Sequence, residues 1–309
     1  MYFLLKLVTL FVLAYFIGYL LDMTRKFENP LLKRNSSKFS ILITGSGSGL
    51  GLDITSTLLK LNDKIIVYAA VRKQSDCSKF PKEALSSKKV ICLLLDVSNS
   101  TQIEESVEKI QQSSIPLYGV VNNAAIGMPA VTLTSKNNKN YVPALRQVLE
   151  VNVFGVAHLT SLLFPSLKNA STALGSARVV NIGSLMGLVY TPRCGGYCAS
   201  KHALEALSDD WRYELDHDNI SVSLVDPGFF ASGMCTKKFC EDGPKVCTEC
   251  VLSALFDQHP VPRYTCASVF GLPASFIAGI IPFIPDRMLD FTFVQFEKVD
   301  PNEALPKPN

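Results

Sequence analysis

The sequence predicts an α/β protein: a single domain built on a doubly wound parallel sheet, preceded by an N-terminal transmembrane helix. Three observations predict it. From residue 39 onward, short apolar runs alternate with helical stretches, as in a parallel sheet covered by helices on both faces. A glycine-rich segment stands between the first apolar run and the first helical stretch. Ahead of both lies an apolar run of about 20 residues, the length a bilayer core requires of a helix.

That N-terminal run, residues 2–21, carries one charge, Lys6, and is followed by Asp22, Arg25 and Lys26. A cleaved signal peptide is disfavoured, because small residues at a plausible cleavage point are missing after Leu20 and Leu21 and the run exceeds a usual signal core. The chain therefore divides into an anchor (1–21), a basic juxtamembrane linker (22–38) and a domain (39–309). Arg25, Lys26, Lys33, Arg34 and Lys38 all follow the anchor, so the positive-inside rule favours a cytosolic domain. Against this, Asn35, Asn99, Asn169 and Asn219 each begin a glycosylation acceptor triplet, which matters only in a lumen.

Within the domain, residues 39–44 read as the first strand, and 64–70, 90–95, 118–121, 178–182 and 221–225 as the strands that follow. Residues 52–60, 101–112, 144–167 and 197–216 read as helices, and 135–140 as a polar loop. There is no internal repeat. The net charge is only +3 and the basic residues are scattered, which excludes a nucleic-acid surface. In an open parallel sheet the ligand crevice lies beyond the carboxyl ends of the strands, and Gly45, Asn122, Ser184 and Pro227 all follow strand ends.

The segment Thr44-Gly45-Ser46-Gly47-Ser48-Gly49-Leu50-Gly51 reads as strand, glycine turn and helix start. Glycines let the backbone approach a pyrophosphate, and the free N–H groups and dipole of a helix start attract its charge. The loop is suited to a dinucleotide. A flexible linker is the alternative, but linkers seldom join a buried-type strand to a helix.

Tyr197 and Lys201 lie four apart on a predicted helix, so phenol and ammonium share one face. A fixed cation beside a phenol lowers its pKa, which makes Tyr197 a candidate general acid/base. Alone, the spacing is also that of two ordinary helix-surface residues.

The motifs Thr44-Gly45-x-x-x-Gly49-x-Gly51, Asn122-Asn123-Ala124-Ala125, Asn152, Ser184 and Tyr197-x-x-x-Lys201 occur in the order expected of the short-chain dehydrogenase/reductases, which the chain resembles from about residue 39 to 232. Pro227-Gly228-Phe229-Phe230 and His259-Pro260-Val261-Pro262-Arg263-Tyr264 resemble the branch of membrane-anchored retinol and 17β-hydroxysteroid dehydrogenases. The resemblance implies a Rossmann sheet and an oxidoreductase that interconverts hydroxyl and carbonyl groups with NAD(P)(H). It further implies a lipophilic small-molecule substrate (retinoid, steroid or fatty alcohol/aldehyde), an endoplasmic reticulum membrane location and room for a homodimer.

Residue by residue, the resemblance makes Tyr197 the proton donor or acceptor, Lys201 the stabiliser of its phenolate and Ser184 the partner of the substrate oxygen. Asn152 would hold a water in a relay with Lys201, unless it simply satisfies backbone groups. Thr44, Gly45, Ser46, Gly49, Leu50 and Gly51 would cradle the cofactor, and Asn122 would steady the sheet beside it. Asn123 and Ala124, then Pro227, Gly228 and Ser232, complete its contacts, with Tyr197 and Lys201 reaching it as well; Ser232 stands in place of the more usual Thr. Asp96 and Val97 fall where the adenine is contacted, a helix-capping role shared with Ser98 being the alternative for Asp96.

Cofactor choice is set just past the second strand. The position that usually carries an acid in NAD-preferring relatives is Val71 here, while Arg72 and Lys73 can pair with a 2′-phosphate. NADP(H) is favoured, with NAD(H) as the alternative.

Nine cysteines include a cluster at Cys235, Cys240, Cys247 and Cys250. Its spacing matches no common zinc site, so no metal is expected, and free thiols in a substrate lid are preferred to disulfides. The lid and a membrane-proximal tail occupy about 229–293. Within it 269–284 is apolar but broken by Pro273 and Pro282, which suits a membrane-dipping or lid role as well as a buried core helix. The rival function, an inactive dinucleotide-binding or scaffolding protein of the same fold, has no chemical need for Asn152, Ser184, Tyr197 and Lys201 together.

Overall fold

A computed structural model describes residues 32, 37–127, 133, 138–228, 243–269, 272–285 and 287–290. The expected anchor, nearly all of the linker, Ser232, Cys235 and Cys240 lie outside the described residues.

The chain alternates strand and helix: β1 (Phe39–Ile43), α1 (Gly49–Leu61), β2 (Ile65–Val71), α2 (Lys82–Ser86), β3 (Val90–Leu94), α3 (Ser100–Gln111) and β4 (Leu117–Asn122). It continues through α4 (Tyr141–Leu149), a π-helical turn (Glu150–Phe154), α5 (Gly155–Leu174), β5 (Ala177–Ile182), α6 (Gly195–Asp216), β6 (Ile220–Pro227), α7 (Pro244–Phe256) and β7 (Arg263–Cys266). The strands form one sheet in the order β3-β2-β1-β4-β5-β6-β7, and every pairing is parallel. The order reverses between β1 and β4, which opens the crevice beyond their carboxyl ends.

Strands buried on both faces need apolar side chains on both sides, and β1 is buried throughout. Its period of two sends Phe39, Ile41 and Ile43 into one core with α1 and α7, and Leu42 into a second core with α3 and α5. Phe39, Tyr118 and Phe256 pack ring against ring in the first core, and the Tyr118 hydroxyl donates to the Leu255 carbonyl at 2.6 Å.

Two expectations about the elements are corrected. The helix read at 144–167 runs from Tyr141 to Leu174, because Ala170 and Ser171 are still buried and only Gly175, at φ 85°, supplies the left-handed turn that ends it. Much of the stretch read as lid is core. Pro244 starts α7 at a position where its missing N–H costs nothing, and Cys247, Val251, Ala254, Leu255 and Phe256 are buried beneath the sheet. Arg263–Cys266 then adds the edge strand β7 beside β6. Among the described residues that follow are an antiparallel pair of short strands, β8 (Ser268–Val269) with β9 (Leu272–Pro273), and the short helix α8 (Ala274–Ile280).

Cys77, in the 3-10 turn Gln74–Lys79, is joined by a disulfide to Cys92 of β3. The free cysteines among the described residues are Cys194, Cys198, Cys247, Cys250 and Cys266. Cys266 of β7 has the thiols of Cys247 and Cys250 as hydrogen-bonding neighbours, so the cluster expected of Cys247 and Cys250 forms with Cys266, inside the domain. Among the described residues no group of three or more His, Cys, Asp or Glu side chains could hold a metal ion.

Candidate active site

β1 ends at the crevice, and Thr44 turns the chain there. Its hydroxyl accepts from the N–H groups of Asn123 and Ala124, both at 2.9 Å, and the Asn123 amide donates to the Thr44 carbonyl at 2.8 Å. The glycine loop is thereby tied to the end of β4. Gly51 has no space for a side chain: a Cβ there would lie 2.4 Å from the Gly45 carbonyl oxygen. Gly49, at φ 53°, is different, because nothing lies within 4 Å of the Cβ it lacks. Open space over a left-handed glycine at the first residue of α1, whose Ser48 cap makes no side-chain hydrogen bond, fits an anionic group resting on the free N–H donors. Ser46 and Leu50 serve the loop from beneath. The Ser46 hydroxyl donates to Ile43, and Leu50 is buried in the core.

Arg72 and Lys73 follow β2 and are exposed. No acid stands at the strand end, yet one arrives from the next turn. Asp76 folds back so that a Cβ on Gly47 would lie 2.9 Å from its carboxylate, and Lys79 bridges to Asp76 at 2.8 Å and donates to the Gly47 carbonyl at 2.6 Å. The Cys77–Cys92 bridge fastens this turn to the sheet. Asp96 accepts from the N–H and hydroxyl of Ser98 at 2.9 and 2.7 Å, so it closes a local turn, and the cap of α3 is Asn99, whose side chain accepts from Gln102. The Val97 carbonyl touches α5, where a Cβ on Gly155 would lie 2.1 Å away.

Asn122 donates to Thr160 at 3.0 Å and to Asn181 at 2.8 Å, tying β4 to α5 and β5 below the crevice. Asn152 sits in the π turn and is buried. Its two amide N–H donors go to the Ile126 carbonyl (2.9 Å) and Ser200 hydroxyl (3.0 Å), while its oxygen accepts from the Ile126 N–H (2.9 Å). Both donors are committed, so the side chain pins α4–α5 to the loop after β4 and is not free to donate to a relay water.

Ser184 follows β5 and caps a 3-10 turn, Leu185–Gly187, by accepting from Met186. Its hydroxyl also comes within reach of the Tyr197 phenol in the first turn of α6. The expected lowering of the Tyr197 pKa is overturned. Burial pushes it up to about 12, offset only partly by Ser184 and reinforced by Cys198, Cys194 and Asp226. Lys201 does not offset this burial: it is itself buried, its ammonium donates to the Ile182 carbonyl at 2.6 Å, and it stands 5.7 Å from the Tyr197 ring centre. Burial brings Lys201 down to about 8, against the opposing pull of Asp226 and Glu205. Gly228 closes the site from β6, donating to Cys266 at 2.8 Å and abutting Ser268 and Val269 of β8 and Ala274 of α8.

The parallel sheet with its switch point, the glycine loop and the Ser184–Tyr197–Lys201 group together define an α/β oxidoreductase site on a Rossmann sheet. The chain belongs to the short chain dehydrogenase family, whose profile matches residues 40–242. It is 35% identical over 209 residues to an uncharacterized oxidoreductase, YbbO, of Escherichia coli, which covers 67% of this chain and 71% of that protein. Human 17-beta-hydroxysteroid dehydrogenase type 6 is 26% identical over 321 residues, covering 90% of this chain and 95% of that one. Mouse retinol dehydrogenase 16 is 26% identical over 301 residues, covering 84% and 90%. The family likeness thus includes the retinol and steroid dehydrogenase branch. In fold, the chain is similar to a short chain dehydrogenase from Burkholderia cenocepacia in complex with NADP, with TM-score 0.68 and 22% identity over 83% of this chain and 98% of that one.

Proposed function

We propose that this chain is a membrane-anchored oxidoreductase that interconverts a hydroxyl and a carbonyl on a lipophilic substrate, with NADP(H) as the favoured cofactor. The observation that carries the proposal is the Ser184 hydroxyl within reach of the Tyr197 phenol, one helical turn from Lys201 and at the carboxyl edge of the sheet. When bound, the dinucleotide supplies or accepts the hydride. In carbonyl reduction Tyr197 gives its proton to the substrate oxygen, which a phenol held protonated up to about 12 is ready to do. Ser184 orients that oxygen through the hydroxyl it already shares with Tyr197. Lys201, charged below about pH 8, balances the phenolate left behind.

Arg72 and Lys73 support the NADP(H) preference, being exposed cations at the end of β2. Asp76 favours a second reading, NAD(H), because its carboxylate lies against Gly47, where a ribose hydroxyl would find an acceptor. The lipophilic substrate class is supported by the likeness to retinol and steroid dehydrogenases and by exposed apolar side chains on and just after α8, the helix whose Ala274 abuts Gly228. There Phe276, Ile280, Phe283 and Met288 are exposed, Phe283 by 84%, and the Tyr190 hydroxyl hydrogen-bonds Asp290. The apolar run 2–21 supports an endoplasmic reticulum membrane anchor.

The test is a screen of detergent-solubilised protein with retinoids, steroids and long-chain aldehydes, following nicotinamide absorbance with each cofactor. Turnover of one class that vanishes in Tyr197→Phe supports the proposal. No turnover with any class, despite cofactor binding, favours the inactive scaffold.

A further inference from the structure

Between Val71 and Phe80, both buried, the chain leaves β2 and passes through the 3-10 turn Gln74–Lys79, which buries no residue. Packing therefore does little to place the turn. Ties to distant chain on either side of it do. Lys79 bridges to Asp76 at 2.8 Å and donates to the Gly47 carbonyl at 2.6 Å, and the Asp76 side chain lies flat on Gly47, 2.9 Å from where a Cβ would be. On the other side, Cys77 is bonded to Cys92 of β3, the edge strand of the sheet.

The first tie meets the glycine loop where its shape matters most. Gly47 immediately precedes Ser48, the cap of α1, and lies two residues before Gly49 with its open space. A peptide unit is planar and trans, so holding the Gly47 carbonyl also fixes the Ser48 N–H, which points the opposite way. Alone, this tie is weak. The side chains of Lys79 and Asp76 are 45% and 24% exposed, and an ion pair so open to water holds little by itself. The second tie is covalent and closes a span of 15 residues. Cys77 and Cys92 are half-buried against the apolar cluster that includes Phe80, Ala84 and Val90, so a thiol in solution can still reach the bridge.

We propose that the Cys77–Cys92 bridge is a redox-controlled clasp on the dinucleotide site. Closed, it seats Asp76 and Lys79 on Gly47 and keeps the glycine loop in its binding shape; opened, it frees the turn and lowers cofactor affinity. This rests on the reading of the glycine loop as the dinucleotide site. The opening reagent is a dithiol. One of its sulfurs, as thiolate, attacks a sulfur of the bridge, so that the Cys77–Cys92 bond breaks and a mixed disulfide forms. The second sulfur then displaces the protein thiolate, and the reductant leaves as its own disulfide. Two electrons have passed to the protein, and Cys77 and Cys92 each end with a proton. Cys194, Cys198, Cys247, Cys250 and Cys266 are on other elements, so a variant lacking Cys77 and Cys92 isolates this bridge.

The test compares full-length protein in detergent equilibrated with oxidised glutathione and then treated with dithiothreitol. Mass spectrometry of the alkylated, digested protein reads the bridge, and fluorescence titration with NADPH and NADH reads the affinity. A Cys77–Cys92 crosslinked peptide should disappear on reduction, and affinity for the preferred cofactor should fall with it by about three- to tenfold, the scale of one lost hydrogen bond. The double variant Cys77→Ser with Cys92→Ser should bind like reduced wild type in both conditions. Lys79→Met should weaken binding by oxidised wild type but add little in the double variant, because the tie it removes is already lost. No crosslinked peptide in the oxidised protein, equal affinity in the two states, or a reductant effect that persists in the double variant overturns the proposal. Additive effects of Lys79→Met and bridge loss overturn it as well. Should the double variant fail to fold, hydrogen exchange of wild type decides without variant or ligand: faster exchange at residues 47–50 after reduction supports the clasp, and unchanged exchange there removes it. Failure of the oxidoreductase reading would show separately, as cofactor binding that still follows the bridge with no turnover of any substrate.

Discussion

The hydroxyl of Ser184 and the phenol of Tyr197 come within reach of each other although they belong to different elements, one at the end of β5 and the other in the first turn of α6. Their meeting point lies at the carboxyl edge of the sheet, so a substrate oxygen that enters there would touch both hydroxyls at once.

Tyr197→Phe tests that arrangement with the smallest change, the loss of one oxygen. Turnover should fall by about 10²–10⁴-fold, the usual worth of a positioned proton donor, while cofactor affinity stays within about twofold. Stopped-flow reduction of a responsive aldehyde and fluorescence titration with NADPH measure the two. Near wild-type turnover would remove Tyr197 from the chemistry.

Arg72→Ala and Asp76→Asn separate the two cofactor readings. Loss of a charge-assisted contact to phosphate costs about 1.5–3 kcal/mol, so Arg72→Ala should weaken NADPH binding by about 10-fold or more and NADH binding hardly at all. Asp76→Asn should do the reverse if a ribose hydroxyl rests on that carboxylate. Equal effects of Arg72→Ala on both cofactors would count against the NADP(H) preference.

Asp226 gives a stability prediction with a definite sign. Its folded pKa of about 8 lies above the ordinary 3.8, so its proton stabilises the fold fully at pH values below 3.8, and that contribution is lost as pH rises through about 8. Across this window wild type should lose stability relative to Asp226→Asn, which has nothing to ionise. The gap in Tm between variant and wild type should therefore widen between about pH 5 and pH 8. Lys201 acts in the opposite direction above about 8, because its folded pKa is depressed from 10.5 and stability returns as the unfolded chain alone holds that proton. A gap that stays flat with pH would mean that Asp226 is already ionised in the fold.

Gly183→Ala places a methyl 2.0 Å from the Asp226 carboxylate, in a strand end where neither backbone can retreat freely. A loss of about 1–3 kcal/mol in urea unfolding is expected, as for other overpacked sites. The double variant Gly183→Ala with Asp226→Ala should recover part of that loss.

Most of the site was legible in the sequence, because its parts are short-range signals. A glycine loop between strand and helix, and a phenol four residues before an ammonium, each declare themselves within one or two turns of chain. What escaped depends on contacts between distant segments. Asp76 reaches Gly47 only because the 3-10 turn after β2 folds back over the loop. α7 and β7 were hidden within an apolar tail rich in Cys and Pro, where length and composition suit a lid as well as a core.

The Cys77–Cys92 bridge bears on geography as well as on shape. A cytosol keeps its thiols reduced, whereas the lumen of the secretory pathway lets such a crosslink persist. The distribution of basic residues after the apolar run favours a cytosolic domain, which would hold Cys77 and Cys92 as thiols, whereas a lasting bridge would belong to the lumenal face. Asn99, Asn169 and Asn219 are exposed, so on that face each acceptor triplet would be open to glycosylation, and the enzyme would draw on the lumen's own nicotinamide pool instead of the cytosolic one.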